Sequence, residues 1–264
     1  MDFTIITPNL NYGRYLGDCL ESVAAQEGVS LEHLVIDGGS TDDSAKVAAR
    51  FPAVIWTQES DKGMSDAINK GFNRAQGEWV MWLNADDRLK PGVLAAMLSA
   101  LRESGADLVY ADYDFIDGTG RLIRQIKVPR WSAFVHVHHC CYIPSTAAFY
   151  RKATVIGEGQ RLREDFRYVM DGEFYARLDS LGKKFEHVAV NLADFRMHGE
   201  NASQRQLGRT RDMDRILSAE RQHVESRAIR RAYGITLFAD PYLNGLVDGA
   251  LWLVARGWKG VLRR

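Results

Sequence analysis

Two adjacent acids, Asp86 and Asp87, end the continuous apolar run Trp79-Val80-Met81-Trp82-Leu83. A buried strand that stops in carboxylates is how an α/β sheet delivers charge to the edge where ligands bind. Two carboxylates on one short loop make an oxygen-rich site suited to Mg²⁺ or Mn²⁺, and such an ion commonly holds a diphosphate. The same residues also suit a plain structural role, an Asx turn that caps a helix starting near Pro91.

The elements that must position these acids are legible around them. Phe3-Thr4-Ile5-Ile6-Thr7 is a β-branched run stopped by Pro8, and His33 to Ile36 is stopped by Asp37-Gly38-Gly39. Val54 to Thr57 leads into Glu59-Ser60-Asp61. Between them lie helical stripes: Tyr12, Leu16, Cys19, Leu20 and Val23, then Met64, Ala67, Ile68, Gly71, Phe72 and Ala75. Ser40 with Asp43 reads as a capping box that opens a further helix. Strand–helix alternation implies a parallel sheet with right-handed crossovers. Pro8, Asp37, Glu59 and Asp86 each follow a strand and are therefore expected to converge on one crevice.

Composition fits a soluble enzyme. The 264 residues suffice for one large domain or a domain with an appendage. A hydrophobic fraction of 46% supports a sizeable core. Formal net charge is zero, so no basic field for nucleic acid exists. The three cysteines, two of them the neighbours Cys140 and Cys141, do not form a disulfide framework. No signal segment is apparent, and a reducing, cytoplasmic setting is expected. Asp107 to Tyr113 with Arg121 to Val128 reads as a hairpin. Trp131 to Pro144 reads as irregular, Phe166 to Leu181 as a helix, and Lys184 to Val190 and Ala193 to Met197 as strands.

Four motifs occur in a known order: Ile6-Thr7-Pro8-Asn9-Leu10-Asn11-Tyr12, Val35-Ile36-Asp37-Gly38-Gly39-Ser40-Thr41-Asp42, Glu59 to Gly71, and Leu83-Asn84-Ala85-Asp86-Asp87. Over about residues 3 to 200 the chain resembles the family 2 glycosyltransferases, inverting enzymes of the GT-A fold, and among them the bacterial builders of lipopolysaccharide, capsule and exopolysaccharide. The resemblance implies a Rossmann-like, mostly parallel sheet flanked by helices. It implies a GT-A domain over 1–205, split into a nucleotide-sugar half (1–128) and an acceptor half (129–205), with a helical C-terminal extension over 206–264. The implied donor is a nucleoside-diphosphate sugar, the acceptor a glycan or lipid-linked sugar, and the cofactor Mg²⁺ or Mn²⁺.

Residue by residue, the resemblance places Thr7, Pro8 and Asp37 at the base and ribose, and Asp61, Asp66 and Asn69 on a second nucleotide-contacting stretch. Asp37 equally suits a turn acid before two glycines. Many relatives carry an arginine where this chain has Ile68, which leaves open the cation that faces the diphosphate; Lys70 is nearby. Asn84, Asp86 and Asp87 match the metal-binding acidic triplet, with Asn84 in place of its usual first acid. Asp86 is the expected metal ligand and Asp87 lies close to the sugar or metal. Met170 to Leu178 resembles the stretch carrying the general base, which falls on Asp171, with Glu173 and Asp165 as alternatives and simple N-capping as the structural reading. A helix N-terminus is expected to depress the pKa there. His198, in the Arg196-Met197-His198 segment, matches a group that completes the metal shell or touches the diphosphate, and equally suits a structural histidine.

Two features stand apart. His136, His138, His139, Cys140 and Cys141 form one crowded group without the second ligand pair of a zinc site, and suit an acceptor-side loop. The apolar stripe from Tyr242 to Val254, broken by Asp248 and followed by Arg256, Lys259, Arg263 and Arg264, suits an interfacial helix at a membrane or a subunit contact. Two other functions fit the same acids: a sugar nucleotidylyltransferase, disfavoured because Pro8-Asn9-Leu10-Asn11 stands where a Gly-rich phosphate loop is needed, and a non-catalytic nucleotide-sugar-binding module.

Overall fold

The computed structural model describes residues 1–138, 141–199, 201, 224–234, 250 and 253–254. Four parallel strands run β1 (Phe3–Asn9), β2 (Leu31–Asp37), β3 (Val54–Gln58) and β4 (Trp79–Trp82), ordered β3-β2-β1-β4. Their crossover helices are α1 (Gly13–Ala24), the short α2 (Ser44–Ala48) and α3 (Met64–Arg74). Every residue of β1 and β4 is buried, which is why β1 reads as a β-branched run and β4 as an unbroken apolar one. The sheet continues through β8 (Ala148–Arg151), β6 (Leu108–Asp117), β9 (Phe185–Met197) and the two-residue β5 (Arg88–Leu89), and β7 (Leu122–Ile126) hairpins onto β6. This far half mixes directions: β8 is antiparallel to both β4 and β6, while β6 and β9 run parallel. A helix-flanked sheet with a parallel half is the arrangement the motif order implies.

The core lies on both faces of the sheet. Helix α1 buries Leu16, Cys19, Leu20 and Val23, the expected stripe. Helix α3 buries Ala67, Ile68, Gly71 and Phe72. Full burial of such aliphatic and aromatic side chains stabilises by about 1.5–3 kcal/mol each. A Cβ on Gly71 would approach the Ile6 side chain to 2.5 Å, so only glycine lets α3 lie this close to β1. On the opposite side, α4 (Val93–Glu103) covers β6 and β9 through Val93, Leu94, Met97 and Leu101.

Local chemistry departs from the sequence expectation at four places. Ser40 does not cap α2. Its hydroxyl donates to Asp37 and accepts from the Asn11 N–H at 2.8 Å, so it is consumed by the β2 loop. Asp42 serves instead, accepting from the Ser44 N–H at 3.0 Å and, with its other oxygen, from the Gly13 N–H at 2.8 Å. The segment expected to be irregular contains a helix, α5 (Ala133–His138). The two late strands are one, β9, whose pairing with β6 shifts register near Asp112. Last, the helical expectation from Phe166 starts later, as α6 (Met170–Ser180).

The tail stripe from Tyr242 to Val254 lies almost wholly outside the described residues; Leu253 and Val254 within it are exposed. No helix among the described residues is long and apolar enough to cross a membrane.

Gly77 joins α3 to β4 where a Cβ would meet the Phe3 carbonyl carbon at 2.3 Å and the Thr4 nitrogen at 2.4 Å. Those atoms are backbone and cannot swing aside. Gly77→Ala is expected to lose at least the roughly 1–3 kcal/mol of ordinary overpacking, read as a lower urea midpoint.

Candidate active site

The C-terminal ends of β1 and β4 and the segment after β3 meet at one cavity of about 350 Å³, within the range of small-ligand sites. Of the four strand-end residues expected to converge, Pro8 and Asp86 line it, whereas Asp37 is fully buried and Glu59 pairs with Arg74 at 2.9 Å. Pro8 and Asn9 reach it from β1, Asn84, Ala85 and Asp86 from the turn after β4, and Asp61, Gly63 and Met64 from the start of α3. Asp171 faces it from the first turn of α6, with Arg167, Tyr168 and Met170 beside it. Thus Asp86 and Asp171, far apart in sequence, line one cavity.

The two strand-end acids do not play the same part. Asp86 lines the cavity; its Oδ2 accepts from His198 Nε2 and from Asn201 Nδ2, each at 3.0 Å. Asp87 is 1% exposed and turns inward. Its Oδ1 accepts the Arg196 backbone N–H at 2.8 Å and its Oδ2 accepts Asn84 Nδ2 at 3.0 Å. The acids cap nothing: α4 begins after Gly92 without a side-chain cap. Burial, and then the charge of Asp86 beside it, push the Asp87 carboxyl well above the usual carboxylate range, against the pull of the Arg196 N–H and the Asn84 amide.

Among the described residues no lysine or arginine side chain pairs with either carboxylate. Arg196 comes nearest, but its Nε donates to the Asp86 carbonyl oxygen at 2.7 Å and its guanidinium pairs with Asp18 at 2.8 Å. Among the described residues no three metal-ligating side chains cluster by themselves. A carboxylate on the cavity wall, an imidazole nitrogen touching it and a second buried acid behind would hold a divalent cation only together with oxygens of a bound phosphate.

His198 is fixed by stacking on Tyr15, ring centres 4.6 Å apart, and by the Asn201 Oδ1 acceptor 2.9 Å from its backbone N–H. Arg196, Asn201, Tyr15 and Asp18 were not singled out from sequence. Arg196 and Asn201 flank His198 within a few residues, and that proximity was the available signal.

The remaining candidates divide by position. Pro8 and Asp61 line the cavity, and Asp61 Oδ1 also accepts the Gly63 N–H at 2.8 Å. Thr7 is fully buried behind it, bonded to His33 Nε2 at 2.9 Å. Asp37 is also fully buried, taking Asn9 Nδ2 at 2.7 Å and the Ser40 N–H at 2.8 Å, so it ties the β1 and β2 loops together. Asp66 accepts the Lys62 N–H at 3.0 Å and pairs with Lys70 at 3.3 Å. Asn69 clamps both backbone groups of Leu162, at 2.8 and 2.9 Å. Asn84 lines the cavity, but its carbonyl oxygen accepts from Trp82 Nε1 at 2.7 Å.

On the α6 side the alternatives to Asp171 are occupied. Glu173 is buried against Arg177 at 2.9 Å and takes the Tyr233 hydroxyl at 3.0 Å. Asp165 pairs with Arg163 at 2.6 Å beside a separate groove. Asp171 accepts the Gly172 N–H at 2.8 Å, and burial lifts its pKa to about 6. The expected depression by the helix terminus is outweighed, because the backbone N–H groups there do not offset loss of water around the carboxylate. From the His/Cys group, buried and neutral His136 supports this turn: its Nε2 lies 2.8 Å from the Gly172 carbonyl, to which it donates. His139 and Cys140 lie outside the described residues, and Cys141 is exposed.

The sequence profile of Glycosyl transferase family 2 matches residues 4–155. The chain belongs to that family. A PGL/p-HBAD biosynthesis glycosyltransferase of Mycobacterium bovis is 30% identical over 201 residues, covering 71% of this chain and 75% of the relative. Among solved structures, S. aureus TarS 1-349 in complex with UDP-GlcNAc superposes with a TM-score of 0.64 at 15% identity, over 98% of this chain and 80% of that one. The mannosyltransferase PcManGT from Pyrobaculum calidifontis, in complex with GDP-Man and Mn²⁺, gives 0.59 at 15% identity, over 99% and 83%. The protein is thus a glycosyltransferase with the GT-A architecture.

The Arg196 side chain bonds the Asp86 carbonyl and Asp18 while its own N–H holds Asp87. Arg196→Ala should cost about 1.5–3 kcal/mol, the value of a bond to a charged group, in urea unfolding. It should also loosen the acidic turn, so divalent-ion protection against thermal unfolding should shrink.

Proposed function

We propose that this family 2 glycosyltransferase is inverting and metal-dependent. It moves a sugar from a nucleoside-diphosphate donor to a hydroxyl of a glycan or lipid-linked acceptor in bacterial surface polysaccharide synthesis, on the cytoplasmic side of the membrane. The observation that carries the reading is the single cavity lined by both Asp86 and Asp171, neither of them paired with a lysine or arginine among the described residues. The relative named for PGL/p-HBAD biosynthesis and the solved structures with UDP-GlcNAc or GDP-Man and Mn²⁺ support donor class and metal.

Asp171 takes the acceptor hydroxyl proton as that oxygen attacks the anomeric carbon and the bond to the diphosphate oxygen breaks. Its raised pKa suits a base, since a carboxylate nearer neutrality is a better proton acceptor. Mg²⁺ or Mn²⁺, held by Asp86 and His198 with Asp87 behind them, would neutralise charge on the departing diphosphate. Pro8 and Asp61 border the nucleotide. Thr7 and Asp37 hold the loops that shape its site, and Asp66 and Asn69 hold the start of α3 and its neighbour segment.

Asp171→Asn removes the proton acceptor at constant size. Transfer should fall by about 10²–10⁴-fold while donor affinity is kept; near-normal transfer with the true acceptor would remove the assignment. The product's anomeric configuration, read by NMR, should be opposite to the donor's.

In the wild type, transfer should rise with pH through about 6 as Asp171 ionises. Stability runs the other way. A folded-state pKa raised above the unfolded 3.8 means the proton favours the fold, and that contribution disappears as pH rises through about 6. Asp171→Asn should therefore be more stable than wild type at pH 8 and not at pH 4, measured by thermal melting.

A further inference from the structure

The helix at residues 224–233 lies beyond the expected catalytic domain, yet it packs against the first turn of α6. Ile229 is buried in the same core cluster as Met170 and Phe174. Tyr233 donates to Glu173 at 3.0 Å. Glu225 is 5% exposed although it is a carboxylate. Its oxygens accept the Arg167 and Tyr168 N–H groups at 2.9 Å each and the Val169 N–H at 3.3 Å. A buried acid spanning successive backbone N–H groups ahead of a helix fixes that backbone, because leaving those donors unmet in the interior is costly.

What it fixes is the cavity lip. Arg167 and Tyr168 both line the cavity that holds Asp86 and Asp171. Arg167 is the only lysine or arginine lining that cavity among the described residues, and no carboxylate pairs with its guanidinium there. A cation without a partner at a cavity edge suits an anionic ligand, and guanidinium matches phosphate oxygens in geometry as well as charge. Ile68 removes the other position where a cation was sought, since it is fully buried in α3. Lys70 is turned away, donating to the Ser60 carbonyl at 2.6 Å and pairing with Asp66.

We propose that Arg167 contacts the diphosphate of the donor, and that Glu225 is the positioning residue that sets Arg167 from the C-terminal helix. This rests on the nucleotide-sugar reading of the cavity. The helix at 224–233 then belongs to the catalytic unit rather than to a separate appendage.

The test is a double-mutant cycle on full-length protein, with UDP and GDP as probes in the presence of Mn²⁺, read by calorimetry. Arg167→Ala should weaken the bound nucleotide about tenfold. Glu225→Ala should weaken it by a similar factor, and the double variant should be little worse than either single, because both changes remove one contact. Glu225→Gln keeps one acceptor oxygen and should fall between; it also serves if Glu225→Ala does not fold. A merely structural Glu225 would lower the melting temperature and leave affinity alone. Wild-type binding that Arg167→Ala and Glu225→Gln both leave within twofold overturns this inference alone, as do fully multiplicative effects. A wild type that binds neither nucleotide overturns the donor reading, and this inference with it.

Discussion

Two carboxylates buried side by side, with no lysine or arginine side chain on either among the described residues, set the terms for the rest of the molecule. Asp86 and Asp87 follow a strand whose every residue is buried, so water cannot reach Asp87 to pay for its charge. The chain responds with dipoles rather than cations: the Arg196 N–H and the Asn84 amide on Asp87, and His198 and Asn201 on Asp86. Arg196, itself almost fully buried, spends its guanidinium on a carbonyl oxygen and on Asp18 instead of on the acids. That arrangement leaves charge uncompensated at a cavity wall, which is how functional sites differ from structural ion pairs.

Sidedness follows from the sheet. Parallel β3, β2, β1 and β4 end at one edge, so Pro8, Asp61 and the acidic turn meet at one cavity. The proposed acceptor side comes from a different construction. Antiparallel β8 leads toward α6, and α6 brings Asp171 to the same cavity, its carboxylate accepting the Gly172 N–H. The two acids have different environments. Asp86 is bonded to imidazole and amide groups and stays suited to a cation, whereas Asp171 is desolvated and suited to a proton. Separate environments are what assign separate roles to chemically identical side chains.

Much of this was legible in the residues. Apolar runs before Pro8, Asp37 and Asp86 placed β1, β2 and β4, although β1 continues through Pro8 to Asn9 and β4 stops at Trp82, and the α1 and α3 stripes marked the buried faces. Local polar chemistry was less legible, because a serine or aspartate can bond several neighbours and tertiary contacts decide which. Ser40 illustrates this: its spacing to Asp43 suits a cap, but Asp37 on the adjoining strand end competes for the hydroxyl and wins. Asp171 illustrates the same limit for charge, since the helix terminus is visible in sequence and the desolvation is not. Glu225 was invisible as a site residue, because its partners lie more than fifty residues earlier.

The proposed metal role is that Asp86, with Asp87 behind it, holds a cation shared with a diphosphate. Calorimetric titration of UDP and GDP into the protein, once with Mn²⁺ and once with chelator, tests it most directly. The account predicts at least tenfold tighter nucleotide binding with Mn²⁺, an advantage that Asp86→Ala abolishes. Equal affinity in the two conditions, or an advantage that survives Asp86→Ala, would contradict it.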